Sequence, residues 1–304
     1  MPSRKICIVG VGKIAHDQHV PAIEASPDWE LAATVSRAGS VEGVPSFRDF
    51  DAMLSERPDI GVVSLCLPPQ PRYDYARKAL KAGRHVMLEK PPGQTLAEVH
   101  ALGAMAREAG VALYATWHSR MAKGVAAAKA WLAGQEVLGG SIAWKEDVRH
   151  WHPGQEWVFQ PGGMGVFDPG VNALSILTEI LPEPVHLTEA DLDYPEGRDT
   201  PIAARLRFTR GIVAEFDWLQ LGPQTWDIEI ETARGRLRLA LGGNDLSIDG
   251  VARPVDAPGE YPALYARMTG LVEAGGSDVD LSPMVHVADA MSLGRRRIVA
   301  PFEF

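Results

Sequence analysis

The sequence predicts an α/β protein whose N-terminal part holds a parallel sheet and whose C-terminal part is an α+β domain with an open, mainly antiparallel sheet. Through residue 118, short apolar runs alternate with helical patterns, which is typical of a parallel sheet covered by helices on both faces. Beyond residue 118, strand patterns follow one another with few helices between them, which indicates antiparallel pairing. We therefore expect two domains, residues 1–118 and 119–304.

In the first part, glycine and proline mark several boundaries: Gly10 and Pro68 end apolar runs, and Pro58 and Gly83 stop helical patterns. The clearest helix start is Thr95 followed by Glu98, which together form a capping box. Strands are predicted at 5–9, 31–36, 60–67, 85–88 and 111–116, and helices at 14–25, 49–56, 73–82 and 96–109.

The second part begins with a strand and ends with two helices. Asp249-Gly250 between two apolar runs predicts a type I′ hairpin, and Ser282 before Pro283 predicts the start of the last helix. The run 295–297, three arginines, is interpreted as the solvated end of that helix. Strands are predicted at 141–148, 185–192, 203–208, 212–218, 226–232, 236–241, 246–248 and 251–253, and helices at 169–181, 263–273 and 283–296.

The amino-acid composition disfavours some classes of binding partner. The formal net charge of -9 disfavours nucleic acid, because neutralising phosphates needs a basic surface. No apolar stretch reaches the ~18 residues that a membrane span needs, and the N-terminal residues lack the pattern of a signal peptide. The two cysteines, Cys7 and Cys66, lie in apolar runs and are interpreted as free thiols. We expect a cytoplasmic protein with no nucleic-acid or membrane partner.

A glycine turn after the first strand predicts a dinucleotide-binding (Rossmann) domain. The sequence Gly10-Val11-Gly12-Lys13-Ile14-Ala15 is a GxGxxA motif between a strand and a helix. Gly10 permits the tight turn, Gly12 lets the backbone approach a pyrophosphate, and Ala15 allows close packing of helix on strand. The N–H groups of Lys13 and Ile14 belong to the helix start that would face the phosphates.

The end of the second strand indicates which dinucleotide is bound. An NAD site usually has an acidic residue there, whereas this chain has Ser36-Arg37. A guanidinium binds a 2′-phosphate, so we predict that NADP is accepted and preferred, while Ser36 leaves NAD binding open. Pro68 ends another strand at the same edge and is predicted to shape a loop beside the cofactor; simple strand termination explains it equally well.

Two further motifs carry candidate chemistry. Glu89-Lys90-Pro91 follows a strand, which places Lys90 at the edge where ligands bind, although a surface lysine in a turn fits the spacing equally well. Asp168 opens a helix and Asn172 lies one turn later on the same face. Asp168 is therefore either a general base or only the N-cap of that helix, with Pro169 at the first helical position.

A third region is dense in polar and aromatic residues, as a sugar site requires. It contains Glu146, Trp151 and His152, and His118 lies nearby in the sequence. We assign these four residues to substrate hydroxyls and the sugar ring face. Metal ligation by the histidines is disfavoured, because no cysteine framework accompanies them, and no metal is predicted.

Taken together, the glycine turn, the Glu89-Lys90-Pro91 triplet and the helix with Asp168 and Asn172 resemble the Gfo/Idh/MocA oxidoreductases. Within that family, the chain is similar to bacterial aldose 1-dehydrogenases that act on L-arabinose and D-galactose. The stretches that carry this closer resemblance are 87–93, 115–120, 144–149, 151–155, 165–170 and 260–267.

The resemblance implies a Rossmann domain, a second domain with an open sheet, and a substrate pocket between them. It also implies roles for Glu89 and Lys90 at the cofactor and for Lys90 at the substrate. Many relatives have histidine where this chain has Asn172. Because asparagine cannot take a proton, the base must be Asp168 or Lys90, and we predict Asp168, with Lys90 and Asn172 orienting the reacting hydroxyl.

The predicted reaction is NAD(P)-dependent oxidation of the C1 hydroxyl of a pyranose to a lactone. Three alternatives stay open: a dehydrogenase acting at another ring carbon, as inositol dehydrogenases do; a regulator that binds NAD(P) without turnover; and a scaffold protein. The sequence does not rank galactose against arabinose, since they differ by an exocyclic group. It also leaves open a monomer or a homo-oligomer formed through the C-terminal sheet.

Overall fold

The computed structural model describes residues 3–304, which form two compact units. The first unit runs to His118 and includes Gly259–Asp280, and the second comprises Ser119–Pro258 and Leu281–Phe304. The expected division placed 259–280 in the second domain. In the structure, the helix in this segment buries side chains at the i, i+3, i+4 and i+7 spacing of an amphipathic face. Tyr265 on that face packs against His19 and Trp29 of the first unit.

The first unit contains a six-stranded sheet in the order β3-β2-β1-β4-β5-β6, in which all pairs are parallel. Its strands are β1 (Arg4–Val9), β2 (Trp29–Val35), β3 (Ser46–Phe47), β4 (Val62–Leu65), β5 (His85–Leu88) and β6 (Leu113–Ala115). Its helices are α1 (Val20–Glu24, preceded by a π-helical turn at Ala15–His19), α2 (Phe50–Glu56), α3 (Pro69–Lys81), α4 (Leu96–Ala109) and α8 (Glu260–Ala274). The predicted parallel sheet is confirmed, and every residue of β4 is buried.

Helix boundaries in this unit follow local chemistry. The Thr95 hydroxyl accepts a hydrogen bond from the Glu98 amide at 3.2 Å, as the capping box predicts. Helix α4 ends at Gly110, which has φ 66°. Helix α3 begins at Pro69, earlier than predicted, because a proline at the first helical position has no hydrogen bond to lose.

The second unit contains a nine-stranded sheet in the order β14-β13-β12-β11-β7-β10-β9-β8-β15. Only the β7–β10 and β8–β15 pairs are parallel, which confirms a mainly antiparallel sheet. Its strands are β7 (Val137–Lys145), β8 (Leu187–Pro195), β9 (Ala203–Phe208), β10 (Ile212–Asp217), β11 (Thr225–Thr232), β12 (Gly235–Ala240), β13 (Asp245–Ile248), β14 (Val251–Arg253) and β15 (Arg295–Val299). Its helices are α5 (Val125–Leu132), α6 (Val148–Trp151), α7 (Phe167–Ile180) and α9 (Ser282–Leu293).

Helices α5, α7 and α9 pack on one face of this sheet. The other face carries charged side chains whose sign alternates between several neighbouring strands. For example, Lys145 of β7 lies 2.6 Å from Glu215 of β10, and Arg238 of β12 lies 2.8 Å from Asp227 of β11. The alternation of apolar and polar residues along these strands therefore reflects a sheet with one buried face and one polar face.

Two local predictions in the second unit are corrected. The arginine run does not end a helix but begins β15, in which Arg295 and Arg297 pair with Asp191 and Asp193 across the parallel β8 strand. Their spacing of two matches the period of a strand. Ser282 lies inside α9, whose N-cap is Leu281. The type I′ hairpin is confirmed, because Asp249 and Gly250 have φ values of 50° and 76°.

Within residues 3–304, no helix is both long and apolar enough to span a bilayer.

Candidate active site

The glycine turn leaves room for a dinucleotide. Gly10 has φ 90°, and a Cβ atom there would lie 2.7 Å from the Leu67 amide nitrogen, so no other residue fits. A Cβ atom at Gly12 would meet nothing within 4 Å, which leaves the backbone open to approach. Helical structure begins at Lys13, and Ala15 is fully buried against the sheet. This arrangement fits a bound pyrophosphate.

The two residues after Gly12 have exposed side chains. The Lys13 ammonium is exposed and pairs with Asp17 one turn later. The Ile14 side chain is 38% exposed. We expect both to act through the N–H groups of the helix start.

Ser36 and Arg37 lie in a loop that packs against the glycine turn. The Ser36 hydroxyl accepts hydrogen bonds from the amides of Ala38 at 3.3 Å and Gly39 at 3.0 Å. A Cβ atom at Gly39 would lie 2.1 Å from the Val11 carbonyl oxygen, which shows how closely the loop approaches. The Arg37 side chain is exposed.

Pro68 lies at the carboxyl edge of the same sheet. It follows β4 as the N-cap of α3, next to Leu67, whose backbone approaches Gly10. It therefore lies at the start of the connection beside the glycine turn, and its role beside a cofactor stays a prediction.

The backbone at Lys90 is held by a buried network. The Glu89 carboxylate, in a residue that is 4% exposed, accepts hydrogen bonds from the Lys90 amide at 2.9 Å and the Tyr261 hydroxyl at 3.0 Å. The Arg72 guanidinium donates to the carbonyl oxygens of Leu67, Glu89 and Pro91. The Lys90-Pro91 bond is cis. The Glu89 carboxylate thus accepts hydrogen bonds from protein donors, and its role at the cofactor stays a prediction.

His19 completes this network and was missed by sequence reasoning. Its Nε2 lies 3.0 Å from the Glu89 carboxylate and its Nδ1 lies 2.8 Å from the Tyr265 hydroxyl. Burial favours a neutral His19, but Cys66, Tyr265 and Glu89 outweigh it and hold the pKa of His19 well above its ordinary value. Burial likewise favours a neutral Glu89, but His19 outweighs it and lowers the pKa of Glu89 to about 2. The two residues form a buried ion pair.

His118 lies three residues after β6 and pairs with Glu260. Its Nδ1 is 2.9 Å from the Glu260 carboxylate, and its ring stacks on Tyr261 with centroids 5.8 Å apart. Burial lowers the pKa of His118, but the charge of Glu260 outweighs it and the pKa is raised. His118 therefore carries a positive charge over a wider pH range than a free histidine.

In the second unit, Asp168 lies inside the first turn of α7 and is not its N-cap. The cap is Val166, because Gly165 has φ 55° and starts the turn two residues earlier than predicted. A Cβ atom at Gly165 would lie 2.2 Å from the Pro201 carbonyl oxygen, so glycine is required there. Pro169 is correspondingly the third helical residue and not the first. Asp168 is thus not the cap of this helix.

Asp168 is 5% exposed and contacts His152. Its Oδ2 lies 3.2 Å from Nε2 of His152. Asn172 is one helical turn further along α7 and partly exposed. This residue set offers a buried carboxylate with an imidazole on one side and an amide on the same helix face.

Glu146 directly follows β7 and is held by two indoles. Trp218 donates to its Oε1 at 3.2 Å and Trp226 to its Oε2 at 2.9 Å. Trp151 packs on Trp226 with centroids 5.4 Å apart and is 38% exposed. The Trp218 ring also lies 5.4 Å from the His152 ring. The second unit thus brings together four predicted residues, namely Glu146, Trp151, His152 and Asp168.

Among the residues that the structure describes, no group of three or more His, Cys, Asp or Glu side chains could hold a metal ion.

Comparison with known proteins agrees with this geometry. Residues 4–116 match the model of an oxidoreductase family with an NAD-binding Rossmann fold. A galactose 1-dehydrogenase of Pseudomonas fluorescens is 41% identical over 98% of both chains. The crystal structure of a D-galactose 1-dehydrogenase from Rhizobium etli superposes with a TM-score of 0.95 at 54% identity, covering 100% of this chain and 99% of the other. A 3-ketoreductase from Actinomadura kijaniata, solved with NADP, has a TM-score of 0.81 at 20% identity over 98% of this chain and 99% of its own, which shows a shared fold.

The glycine turn and the shared fold define an oxidoreductase that uses a nicotinamide dinucleotide. The chain belongs to the Gfo/Idh/MocA oxidoreductase family, as its motifs predict.

Proposed function

We propose that the protein is an NAD(P)-dependent aldose 1-dehydrogenase that oxidises the C1 hydroxyl of D-galactose, L-arabinose or both to the aldonolactone. The observation that carries this proposal is the buried Asp168 carboxylate, which lies beside His152 in a unit that also supplies the indole-held Glu146. Two relatives, at 41% and 54% identity, are galactose 1-dehydrogenases, which supports the choice of C1.

In this proposal, Asp168 accepts the proton of the sugar O1 as the C1–H hydride departs. A nicotinamide dinucleotide supplies the hydride acceptor when bound. The residues proposed to hold it are Gly10, Gly12, Lys13, Ile14, Ser36, Arg37, Pro68, Glu89 and Lys90. Lys90 and Asn172 orient O1 and stabilise the charge that develops on it. The Glu89 network fixes the Lys90 backbone for this task.

The other hydroxyls and the ring face of the sugar are assigned to His118, Glu146, Trp151 and His152. Glu146 already accepts two indole N–H bonds, but a carboxylate has about four acceptor sites and so retains capacity for sugar hydroxyls. Trp151 offers an exposed indole face to sugar C–H groups.

We propose that residues 1–118 bind the cofactor and that residues 119–304 bind the substrate. We also propose that the protein acts in the cytoplasm. It would act there as a monomer or as a homo-oligomer formed through the C-terminal sheet. Its two cysteines, one buried and one partly buried, are free, which agrees with a reducing compartment.

Cofactor preference depends on Arg37 in this proposal. We expect a lower KM for NADP than for NAD, and Arg37→Ala should raise the KM for NADP about tenfold, the worth of one hydrogen bond to a charged group, while leaving the KM for NAD unchanged. Initial rates with both cofactors measure this. Arg107→Ala, which removes an exposed arginine from α4, is the matched control. An Arg37→Ala enzyme with unaltered preference would contradict the assignment.

The activity is tested by initial rates with a panel of aldoses crossed with both cofactors, followed by product analysis. We expect turnover of D-galactose or L-arabinose and release of the aldonic acid as the lactone hydrolyses. A stable keto sugar would instead assign the reaction to another ring carbon. Nucleotide binding without turnover of any aldose or polyol would favour a regulator.

A further inference from the structure

The side chain of Gln155 connects Trp157 to His152. Its Oε1 lies 3.1 Å from Nε1 of Trp157 and 3.3 Å from Nδ1 of His152. An indole nitrogen is only a donor, so the atom of Gln155 that faces it must be the carbonyl oxygen and not the amide nitrogen. Trp157 therefore determines the orientation of the Gln155 amide.

That orientation fixes the proton on one nitrogen of His152. Because Oε1 only accepts, Nδ1 of His152 must carry a hydrogen to bond with it. A neutral imidazole has one N–H, so its Nε2 would then be bare. Yet Nε2 lies 3.2 Å from the Asp168 carboxylate, where two lone pairs would repel each other. The contact therefore requires a proton between the two residues.

We infer that Gln155 and Trp157 are positioning residues that fix the tautomer of His152, so that His152 and Asp168 share one proton when the site is at rest. That proton resides either on an imidazolium beside a carboxylate or on a carboxylic acid beside a neutral imidazole. In both forms, the pair must release it before Asp168 regains full basicity. The consequence for turnover rests on the proposed function, whereas the tautomer does not.

The segment 146–156, which carries His152, also contains other charged or titratable side chains, namely Glu146, Asp147, Arg149, His150 and Glu156. Glu146 accepts a hydrogen bond from the Trp218 indole, whose ring lies 5.4 Å from the His152 ring. On this segment Arg149 pairs with Asp147, and Glu156 pairs with Arg198. His150 on α6 packs edge-on against the Trp151 ring. Gln155 is consequently the group whose change should alter the shared proton with least disturbance.

The tautomer is read by NMR of protein labelled with ¹⁵N-histidine, with the His152 signals assigned by their loss in His152→Gln. We expect a protonated Nδ1 in the wild type. Gln155→Met, which lacks an acceptor, and Trp157→Phe, which frees the Gln155 amide to rotate, should both move the proton of neutral His152 to Nε2. A bare Nδ1 in the wild type would overturn the inference, and so would a tautomer that is the same in all three proteins.

The pH dependence of kcat supplies a second readout that a merely structural role would not produce. Gln155→Glu stabilises the proton-carrying pair and should move the acid limb of the profile up by about one pH unit, while Gln155→Met should move it down by about one unit. Gln160→Met, at an exposed position in the same segment, should leave both readouts unchanged. Shifts in one common direction would contradict the mechanism. If the wild type oxidises no aldose, the proposed function fails, but the NMR result still decides the tautomer.

Discussion

Asp168→Asn should lower kcat for sugar oxidation by about 10² to 10⁴, the usual contribution of a general base. The amide occupies almost the same volume as the carboxylate but cannot accept a proton. Since Asp168 is not among the residues proposed to hold the cofactor, the KM for the cofactor should stay within about twofold, or ~0.4 kcal/mol. Initial-rate kinetics at saturating cofactor measure both quantities.

Two controls make the Asp168 result interpretable. Asp245→Asn replaces an exposed carboxylate of the same unit and should leave kcat unchanged. Circular dichroism and thermal unfolding should show a folded Asp168→Asn enzyme, since no helix cap is lost. If the variant retained near-full turnover, the base would be Lys90 or water, and Lys90→Met would distinguish them.

The nucleotide-binding half could be predicted from the sequence because its signals are local. The Gly10 turn lies between a buried strand and a helix, and both are visible as short-range patterns. Strands buried on both faces give continuous apolar runs, which are hard to mistake when helices alternate with them. The same holds for the Asp249-Gly250 hairpin, whose two positive φ values are encoded by two residues.

The structural features that could not be predicted from the sequence depend on contacts between residues that are distant in the chain. The arginines of β15 can be assigned to a strand only with the knowledge that Asp191 and Asp193, 104 residues away in the sequence, lie beside them. From the sequence alone, Asp168 is predicted to be the N-cap of α7, whereas in the structure the turn starts earlier, at Gly165. Helix α8 joins the first unit from beyond residue 258, so its tyrosines could not be assigned to Glu89 from spacing alone.

The His19–Glu89 pair is such a long-range contact, and breaking it should have the largest effect on stability. His19→Leu leaves the buried Glu89 carboxylate without its charged partner, so we expect the free energy of unfolding to fall by about 3 to 5 kcal/mol. Chemical denaturation near pH 6 measures it. His100→Leu, at an exposed position of α4, is the matched control and should change stability by less than about 0.5 kcal/mol.

A double variant separates the pair from simple packing. His19→Leu combined with Glu89→Gln removes both charges, so no unpaired carboxylate stays buried. Its loss of stability should be smaller than the sum of the two single losses, because residues in direct contact are coupled. Strict additivity would show that the two side chains contribute independently and would contradict the ion pair.

The pH dependence of this stability has a definite sign. Glu89 has a pKa of about 2 in the folded protein against 4.5 unperturbed, so its contribution is present above pH 4.5 and is lost as the pH falls toward 2. His19 has a raised pKa, so its contribution is present below its unfolded pKa of 6.5 and is lost only as the pH rises through the folded value. The difference in unfolding free energy between wild type and His19→Leu should therefore be largest between pH 4.5 and 6.5 and shrink on acidification. A difference that stays constant down to pH 3 would mean that His19 stabilises the fold by packing and not by charge, and the network would then hold Lys90 through shape alone.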